Sequence, residues 1–246
     1  GIRDVERSRG LGDVYKRQKR YSGVTISDVN IRESPQWLKN KLHAIGLIPV
    51  NNVVDITNFV LHETGQPLHA FDADKITGKK VIVRTLKKGT PFISLTGESY
   101  TLSDEDLMIC NTYSGMCIAG VIGGKNSGVT NSTKNVFLES AWFNPVYIRR
   151  TAKRHGLNTD ASFRFERGAD PENTVPALKR AASLIRQIAG GKISSPVIDI
   201  YPDPFKPAQV NILYQNIDRL VGKKIERKTI KRAVNVLEIK ILEEDD

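Results

Sequence analysis

Long apolar runs and cysteine are both scarce in this sequence. No stretch of its 246 residues approaches the roughly 18–20 consecutive apolar residues of a membrane span, which predicts a soluble, cytoplasmic protein with no membrane partner. It has two cysteines, Cys110 and Cys117, and neither has a Cys or His neighbour at the spacing of zinc ligands. We therefore expect buried structural thiols and no metal site.

Excess negative charge is absent as well. The sequence has 37 Lys and Arg residues against 27 Asp and Glu, a formal net charge of +10, which favours a polyanionic partner such as RNA. A solvated basic surface is the alternative. Residues 1–20 contribute +4 of this charge and have no hydrophobic period. They read like a cloning or joining remnant, so we predict a non-native or disordered leader that packs against nothing.

Two kinds of pattern divide the rest of the chain. Helical patterns follow Ser34-Pro35, run from Asn52 to Gly65-Gln66-Pro67, and start again at Asn144-Pro145 and Asp170-Pro171. Short β-rich runs lie between them, at 81–86, 91–95, 107–110, 116–121 and 136–141. Because helices and strands are partly segregated, the fold class predicted is α+β, with a mixed or antiparallel sheet and flanking helices.

The domain organisation follows from the same patterns. One main domain is expected over residues 21–200, which is long enough to bury a sizeable core. The run Y-P-D-P-F-K-P at 201–207 has three prolines and predicts a stiff linker. Residues 208–246 are expected to form a small, truncated helical module.

Four motifs occur in a fixed order along the main domain: Q-P-L-H-A-F-D at 66–72, G-V-I-G-G-K-N-S-G-V at 120–129, N-V-F-L-E-S-A at 135–141 and R-H-G-L-N-T-D-A-S-F-R-F-E-R-G-A-D-P at 154–171. Together they resemble the editing region of the beta subunit of bacterial phenylalanyl-tRNA synthetase. The resemblance extends from about Tyr21 to Gly191 and continues more weakly beyond. It implies hydrolysis of mischarged tyrosyl-tRNA(Phe).

Three candidate site residues lie in the first three motifs. His69, expected in a loop, has a near-neutral pKa suited to proton transfer, or it pins that loop by a hydrogen bond. Gly123 allows a ligand to approach the backbone and leaves amide N–H groups free, or it belongs to a plain hairpin. Glu139 is a carboxylate in an apolar strand that needs a partner or a role, or it faces water. By resemblance, His69 and Gly123 are catalytic and Glu139 binds the phenol hydroxyl of tyrosine.

The fourth motif and the helix before it supply the remaining candidates. Thr159 and Ala161 suit a pocket floor with one polar group, although a helix cap would look the same. By resemblance, Thr159 is catalytic and Ala161 binds substrate. Four basic residues crowd one short helix and are interpreted as contacts to tRNA phosphates, with a solvated helix face as the alternative: Arg149, Arg150, Lys153 and Arg154.

The missing motifs limit what this part of the family can do. The sequence contains neither G-x-x-x-x-G-K-[ST] nor G-x-S-x-G, so amino-acid activation is not expected here and no cofactor is predicted. The resemblance implies that ATP and Mg2+ serve the complete synthetase, a heterotetramer with an alpha subunit, and that the acceptor end of tRNA(Phe) is the partner of this domain. A noncatalytic RNA-binding or assembly module is the alternative function.

Overall fold

The computed structural model describes residues 17–245 and the backbone of residues 4–7. These residues fall into two compact units, one ending at Pro204 and the other beginning at Phe205. Within this described part, no helix is long and apolar enough to cross a membrane.

An antiparallel sheet forms the centre of the first unit. Its strands, in spatial order, are β11 (Lys192–Ile193), β2 (Gln18–Ser27), β10 (Val136–Phe143) and β3 (Leu68–Asp72), and β12 (Ile198–Ile200) also pairs with β2. Every residue of β10 is buried, because this strand lies between two others and both faces of the sheet are covered by apolar side chains.

A second sheet lies in the middle of the sequence. Its order is β1 (Asp4–Arg7), β4 (Lys80–Thr85), β7 (Leu107–Cys110), β8 (Gly115–Ile118) and β9 (Ile122–Gly123), and a separate hairpin joins β5 (Pro91–Ile93) to β6 (Ser99–Thr101). The pairing of β1 with β4 is parallel, whereas the other pairs of this sheet are antiparallel. The α+β class predicted from the sequence is therefore confirmed.

The first unit has five described α-helices: α1 (Gln36–Ala44), α2 (Asn52–Thr64), α3 (Pro145–His155), α4 (Asp160–Phe165) and α5 (Thr174–Ile188). Helix α2 starts where the side chain of Asn51 accepts hydrogen bonds from the backbone N–H groups of Val53 and Val54. It ends at Gly65, whose φ of 75° is the left-handed conformation that favours glycine. Helix α4 was not expected, because its six residues are too few for a visible helical period.

Strand alternation separates two cores. On one face of the first sheet, Val24 and Leu138 pack in a cluster with Ile56 of α2 and Leu178 of α5. On the other face, the side chains that alternate with these join residues of the second sheet in a second cluster, which includes Tyr21, Phe71, Phe137, Val81 and Ile109. The candidate site lies on this second face.

The prediction that residues 1–20 form a leader that packs against nothing is wrong at the positions that the structure describes. The backbone of Asp4–Arg7 pairs with Lys80–Val83. Strand β2 begins at Gln18, three residues before the expected boundary, and both Gln18 and Arg20 are buried. Arg20 looks like part of a basic leader because its partner, the carboxylate of Asp199, is remote in sequence. Residues 1–3 and 8–16 lie outside the described residues.

The second unit contains α6 (Tyr214–Val221) and α7 (Arg227–Val236). Gly222 ends α6 with a φ of 81°, and the side chain of Asp218 accepts a hydrogen bond from the backbone N–H of Ile225. Neither helix has a buried residue. The division between Pro204 and Phe205 falls inside the segment interpreted from the sequence as a linker.

Candidate functional site

His69 and Glu139 face each other across neighbouring strands. His69 lies in β3, directly opposite Glu139 of β10, so the expectation of a loop at His69 is wrong. The buried Gln66 holds this segment in the sheet. Its amide donates hydrogen bonds to the carbonyls of Ala141 (2.8 Å) and Pro67 (3.0 Å) and fixes the start of β3 against β10. Residues directly opposite in an antiparallel pair have Cβ atoms about 4.5–5.5 Å apart, so imidazole and carboxyl share one face.

Glu139 is a buried acid rather than a solvated one. Glu139 is 4% exposed, and its Oε2 accepts a hydrogen bond of 2.9 Å from the phenol of Tyr21. Burial raises the pKa of Glu139 to about 8, although the hydrogen bond from Tyr21 acts in the opposite direction. At pH 7 the carboxyl is therefore mainly protonated, and the alternative of a strand glutamate facing water is excluded.

His69 is also uncharged. Burial lowers the pKa of its imidazole to about 4, and the ring makes an edge contact with Phe71 at 4.4 Å between centroids. Although the residue as a whole is partly exposed, its Nε2 is buried and has no hydrogen-bond partner among the described residues. A buried ring nitrogen without a partner is costly unless a water or a ligand completes it, which is the condition expected of a binding site.

Gly123 lies against the histidine. A Cβ added to Gly123 would be 2.8 Å from Cε1 of His69 and 2.9 Å from Cδ2 of Leu95. The missing side chain therefore makes the space that the imidazole edge uses. The expectation of free amides is wrong at Gly124, whose N–H donates to the carbonyl of Met116 at 2.8 Å, and the next N–H, that of Lys125, donates to the carbonyl of Ile93 at 3.1 Å.

Thr159 joins the site through the backbone. It caps α4, accepting a hydrogen bond from the N–H of Ser162, and its hydroxyl donates to the carbonyl of Val121 at 2.8 Å. This bond ties the start of α4 to the segment leading into Gly123. Ala161 packs against the core on the same side of the sheet. The cap that the sequence left as an alternative is thus present, and the hydroxyl of Thr159 is already engaged.

The four basic candidates of α3 have different environments. Arg154 is ion-paired with the carboxylates of Asp106 and Glu105, and Asp106 is fully buried and also contacts His155. Arg149 is exposed and donates to the carbonyl of Glu166 at 2.9 Å. Arg150 and Lys153 are exposed. Of the four, these last two are the freest to meet a phosphate.

Residues 17–190 match the family model described as the B3/4 domain. The chain belongs to the B3/4 domain family. It is 54% identical over 225 residues to the phenylalanine--tRNA ligase beta subunit of Bacteroides fragilis (strain YCH46). The aligned region covers 92% of this chain and 27% of that protein. It is also 54% identical over 228 residues to the beta subunit of Porphyromonas gingivalis, covering 92% of this chain and 28% of that one.

The chain is similar in fold to a solved structure. That structure is an N-terminal fragment of the phenylalanyl-tRNA synthetase beta subunit from Pyrococcus horikoshii, with a TM-score of 0.50 and 14% identity over 93% of this chain and 62% of that chain. At that identity the likeness shows the fold alone. The family match begins at residue 17, next to the first residue of β2, so the B3/4 domain starts earlier than the sequence patterns indicated.

The B3/4 domain thus brings His69, Gly123 and Glu139 together and attaches Thr159 to the same region. The sequence analysis missed Tyr21, which supplies the hydrogen bond to Glu139 across a separation of 118 residues. No local signal marks Tyr21, because a tyrosine in an apolar strand looks like an ordinary core residue. Only the pairing of β2 with β10 places its hydroxyl at the carboxyl.

Proposed function

We propose that this B3/4 domain hydrolyses the ester bond of tyrosyl-tRNA(Phe) and so removes tyrosine attached in error to that tRNA. The single observation that carries the proposal is the buried Glu139, which lies opposite His69, whose imidazole edge in turn packs against Gly123. The names of the relatives support the choice of tRNA.

The specificity argument rests on burial. An apolar site that selects phenylalanine cannot strongly reject a ligand that adds only a hydroxyl, so a second site has to recognise that hydroxyl. The carboxyl of Glu139, which is buried, can form a hydrogen bond with the phenol of tyrosine. Phenylalanine would leave one oxygen of this carboxyl without a hydrogen-bond partner, since Tyr21 bonds only the other, at a cost of about 1–3 kcal/mol. Correctly charged tRNA is spared because its amino acid binds poorly.

The chemistry needs a water near the carbonyl carbon and a donor near the developing oxyanion. Neutral His69, with its partnerless buried Nε2, is the group we assign to hold that water or the ester. Thr159 already donates to Val121, so we assign it to positioning rather than proton transfer, with Ala161 forming part of the pocket wall. We propose no cofactor for this step.

The partners of the longer protein follow as part of the same proposal. We assign Arg150 and Lys153, both exposed on α3, to the phosphates of the tRNA acceptor end. Arg149 contributes to the same face, whereas Arg154 serves the buried Asp106. ATP and Mg2+ would be used by the alpha subunit, with which the complete beta subunit would form a heterotetramer.

Replacing Glu139 by alanine tests the function. We expect Glu139→Ala to slow hydrolysis of tyrosyl-tRNA(Phe) by roughly ten- to a hundredfold, because the buried phenol of the ligand loses its partner at a cost of ~1–3 kcal/mol, with no gain on phenylalanyl-tRNA(Phe). The measurement is release of labelled amino acid from each tRNA.

Glu98→Ala is the matched control, because Glu98 also accepts a hydrogen bond from a tyrosine but is exposed. It should leave both rates unchanged. If a folded Glu139→Ala protein hydrolyses tyrosyl-tRNA(Phe) as fast as an active parent, the domain is better described as a noncatalytic RNA-binding or assembly module.

A further inference from the structure

Tyr21 is the described side chain that hydrogen-bonds Glu139, and its position is fixed by strand register. Tyr21 of β2 lies opposite Ala141, and the residue opposite Glu139 on that strand is Gly23. The ring of Phe137 fills the place where a side chain of Gly23 would be, since an added Cβ there would lie 2.3 Å from its Cζ. The carboxyl is therefore approached diagonally from β2 by the phenol of Tyr21.

The groups that face Glu139 carry no positive charge at neutral pH. Tyr21 approaches from β2, His69 from β3 and the thiol of Cys117 from β8. Burial keeps the imidazole of His69 neutral by lowering its pKa to about 4, and burial raises the pKa of Cys117 well above its ordinary value. A carboxyl buried without a cation is more stable in its protonated form. Glu139 thus has one oxygen that accepts and one that carries a proton.

The phenol of Tyr21 decides which oxygen is which. Burial and the nearby carboxyl hold the pKa of Tyr21 well above its ordinary value, so its hydroxyl remains protonated and acts as a donor. Its partner is Oε2, at 2.9 Å, which must then be the accepting oxygen. Among the described residues, no side chain forms a hydrogen bond with Oε1.

We propose that Tyr21 is a specificity-determining positioning residue: by donating to Oε2 of Glu139, it makes Oε1 the oxygen that donates a hydrogen bond to the ring hydroxyl of a bound tyrosyl group. This inference rests on the proposed function for the identity of the ligand. It changes the chemistry of recognition, because the buried acid donates to the ligand hydroxyl rather than accepting from it. A ligand with a phenylalanine ring offers nothing to that donor.

Two isosteric variants separate a donor from an acceptor. Glu139→Gln keeps one accepting oxygen for Tyr21 and one donating N–H group for the ligand, so it reproduces the proposed arrangement. Tyr21→Phe keeps the ring in the core but removes the hydroxyl that orients Glu139. The probes are L-tyrosinamide and L-phenylalaninamide, whose dissociation constants are measured by calorimetric titration with this chain.

We expect the parent to bind tyrosinamide about tenfold more tightly than phenylalaninamide, the effect of one buried hydrogen bond. Glu139→Gln should retain this preference within about threefold. Tyr21→Phe should lose most of it by weakening tyrosinamide alone, whereas a general loss of structure would weaken both ligands. Tyr100→Phe, which removes a phenol from an exposed glutamate, Glu98, should behave as the parent does.

The contrary outcomes are distinct. A parent without a preference for tyrosinamide, or a Tyr21→Phe protein that keeps it, overturns the inference. A Glu139→Gln protein as unselective as Glu139→Ala also overturns it, because the carboxylate would then be an acceptor. A parent that prefers tyrosinamide but does not hydrolyse tyrosyl-tRNA(Phe) rejects the proposed function and leaves the inference standing.

Discussion

At the scale of single residues, burial gives this site two neutral groups instead of an ion pair. His69 and Glu139 have opposite charges when ionised and lie opposite each other. With their ordinary pKa values both would be charged between pH 4.5 and 6.5, but burial lowers the pKa of His69 to about 4 and raises that of Glu139 to about 8, so both groups are neutral in this range. Each shift has desolvation as its largest cause. A neutral pair can donate and accept hydrogen bonds without attracting counterions, which is consistent with the proposed recognition of an uncharged phenol.

The shift at Glu139 should make folding stability depend on pH. Its pKa is 4.5 when exposed and about 8 in the fold, so between these values the folded state binds the proton that the unfolded state has lost. Stability therefore falls as pH rises through this window. Below pH 6.5, the opposite shift of His69 offsets this slope, so the decline should be clearest between pH 6.5 and 8.

We expect the free energy of unfolding of the parent to fall by about 2 kcal/mol more than that of Glu139→Gln over these 1.5 pH units. Urea unfolding of both proteins at pH 6.5 and pH 8 measures the difference. Parallel pH profiles for the two proteins would show that Glu139 is ionised in the fold.

Gly123 offers a second test at this scale. An alanine there would place its Cβ within 3 Å of His69 Cε1 and Leu95 Cδ2, so we expect Gly123→Ala to displace the imidazole and to reduce hydrolysis of tyrosyl-tRNA(Phe) at least about tenfold, because a shift of ~1 Å can cost a hundredfold. Gly128→Ala is the control, since nothing lies within 4 Å of its Cβ and its φ is not positive. Equal rates for the two variants would contradict the assignment of Gly123 to the site.

At the scale of secondary-structure elements, helix α4 shows how a short segment is held in place. It has six residues, and its first turn depends on the reciprocal hydrogen bonds between Thr159 and Ser162. The additional bond from Thr159 to the carbonyl of Val121 ties it to the β-sheet region of the site. Such a helix depends on these anchors, because isolated helices of this length are unstable.

The role of Thr159 can be separated by two substitutions. Thr159→Ala should destabilise the domain by about 1–2 kcal/mol, because it removes the cap and the bond to Val121 together. Thr159→Ser should keep both bonds and remain within about 0.5 kcal/mol of the parent, with near-normal hydrolysis. Denaturant unfolding and deacylation of tyrosyl-tRNA(Phe) are the two measurements. Loss of activity in a stable Thr159→Ser protein would instead indicate that the methyl group contacts the substrate.

The proposed function divides the basic residues of helix α3 between fold stability and tRNA contact. Arg154→Ala should destabilise the fold, because it leaves Asp106 buried with fewer partners.

Arg150→Ala should leave the free energy of unfolding within about 0.5 kcal/mol of the parent but weaken tRNA binding, and it should lower the salt dependence of that binding by about one unit. Binding of tRNA(Phe) at several salt concentrations checks this. An unchanged salt slope would show that Arg150 does not meet a phosphate.

The sequence predicted the elements with clear periods and missed those that depend on remote contacts. The runs around β4, β7 and β10 were recognised because their apolar side chains alternate between turn residues. Strand β3 was missed because its register is set by the amide of Gln66 on the carbonyl of Ala141, 75 residues away. The candidate site residues come from four motifs, whereas the partner of Glu139 depends on the register of β2, which no local pattern contains.

At the scale of the whole molecule, the two units differ in what they bury. The first has two clusters of buried apolar side chains, on opposite faces of one sheet. In the second, α6 and α7 have no buried residue, and large apolar side chains such as Leu220 and Val236 are exposed. The linker and the helical unit were predicted from three prolines and a change of pattern. The early start of the first unit was not, because a strongly basic segment resembled a leader.

This difference in burial should appear in hydrogen exchange. Amide protection depends on how much structure must open to expose the N–H group, and it is lowest where few apolar contacts oppose opening. We expect the amides of β10 to exchange only through global unfolding, and those of α6 and α7 to exchange at least about a hundredfold faster, since each 1.4 kcal/mol of opening free energy is a factor of ten.

Removal of residues after Pro204 should leave the Tm of the first unit within about 2 °C, because both of its cores lie before that point. Exchange measured by mass spectrometry on both chain lengths provides the test. Protection of α7 equal to that of β10, or a Tm that falls on truncation, would mean that the exposed apolar side chains of the second unit are covered in solution and contribute to the stability of the domain.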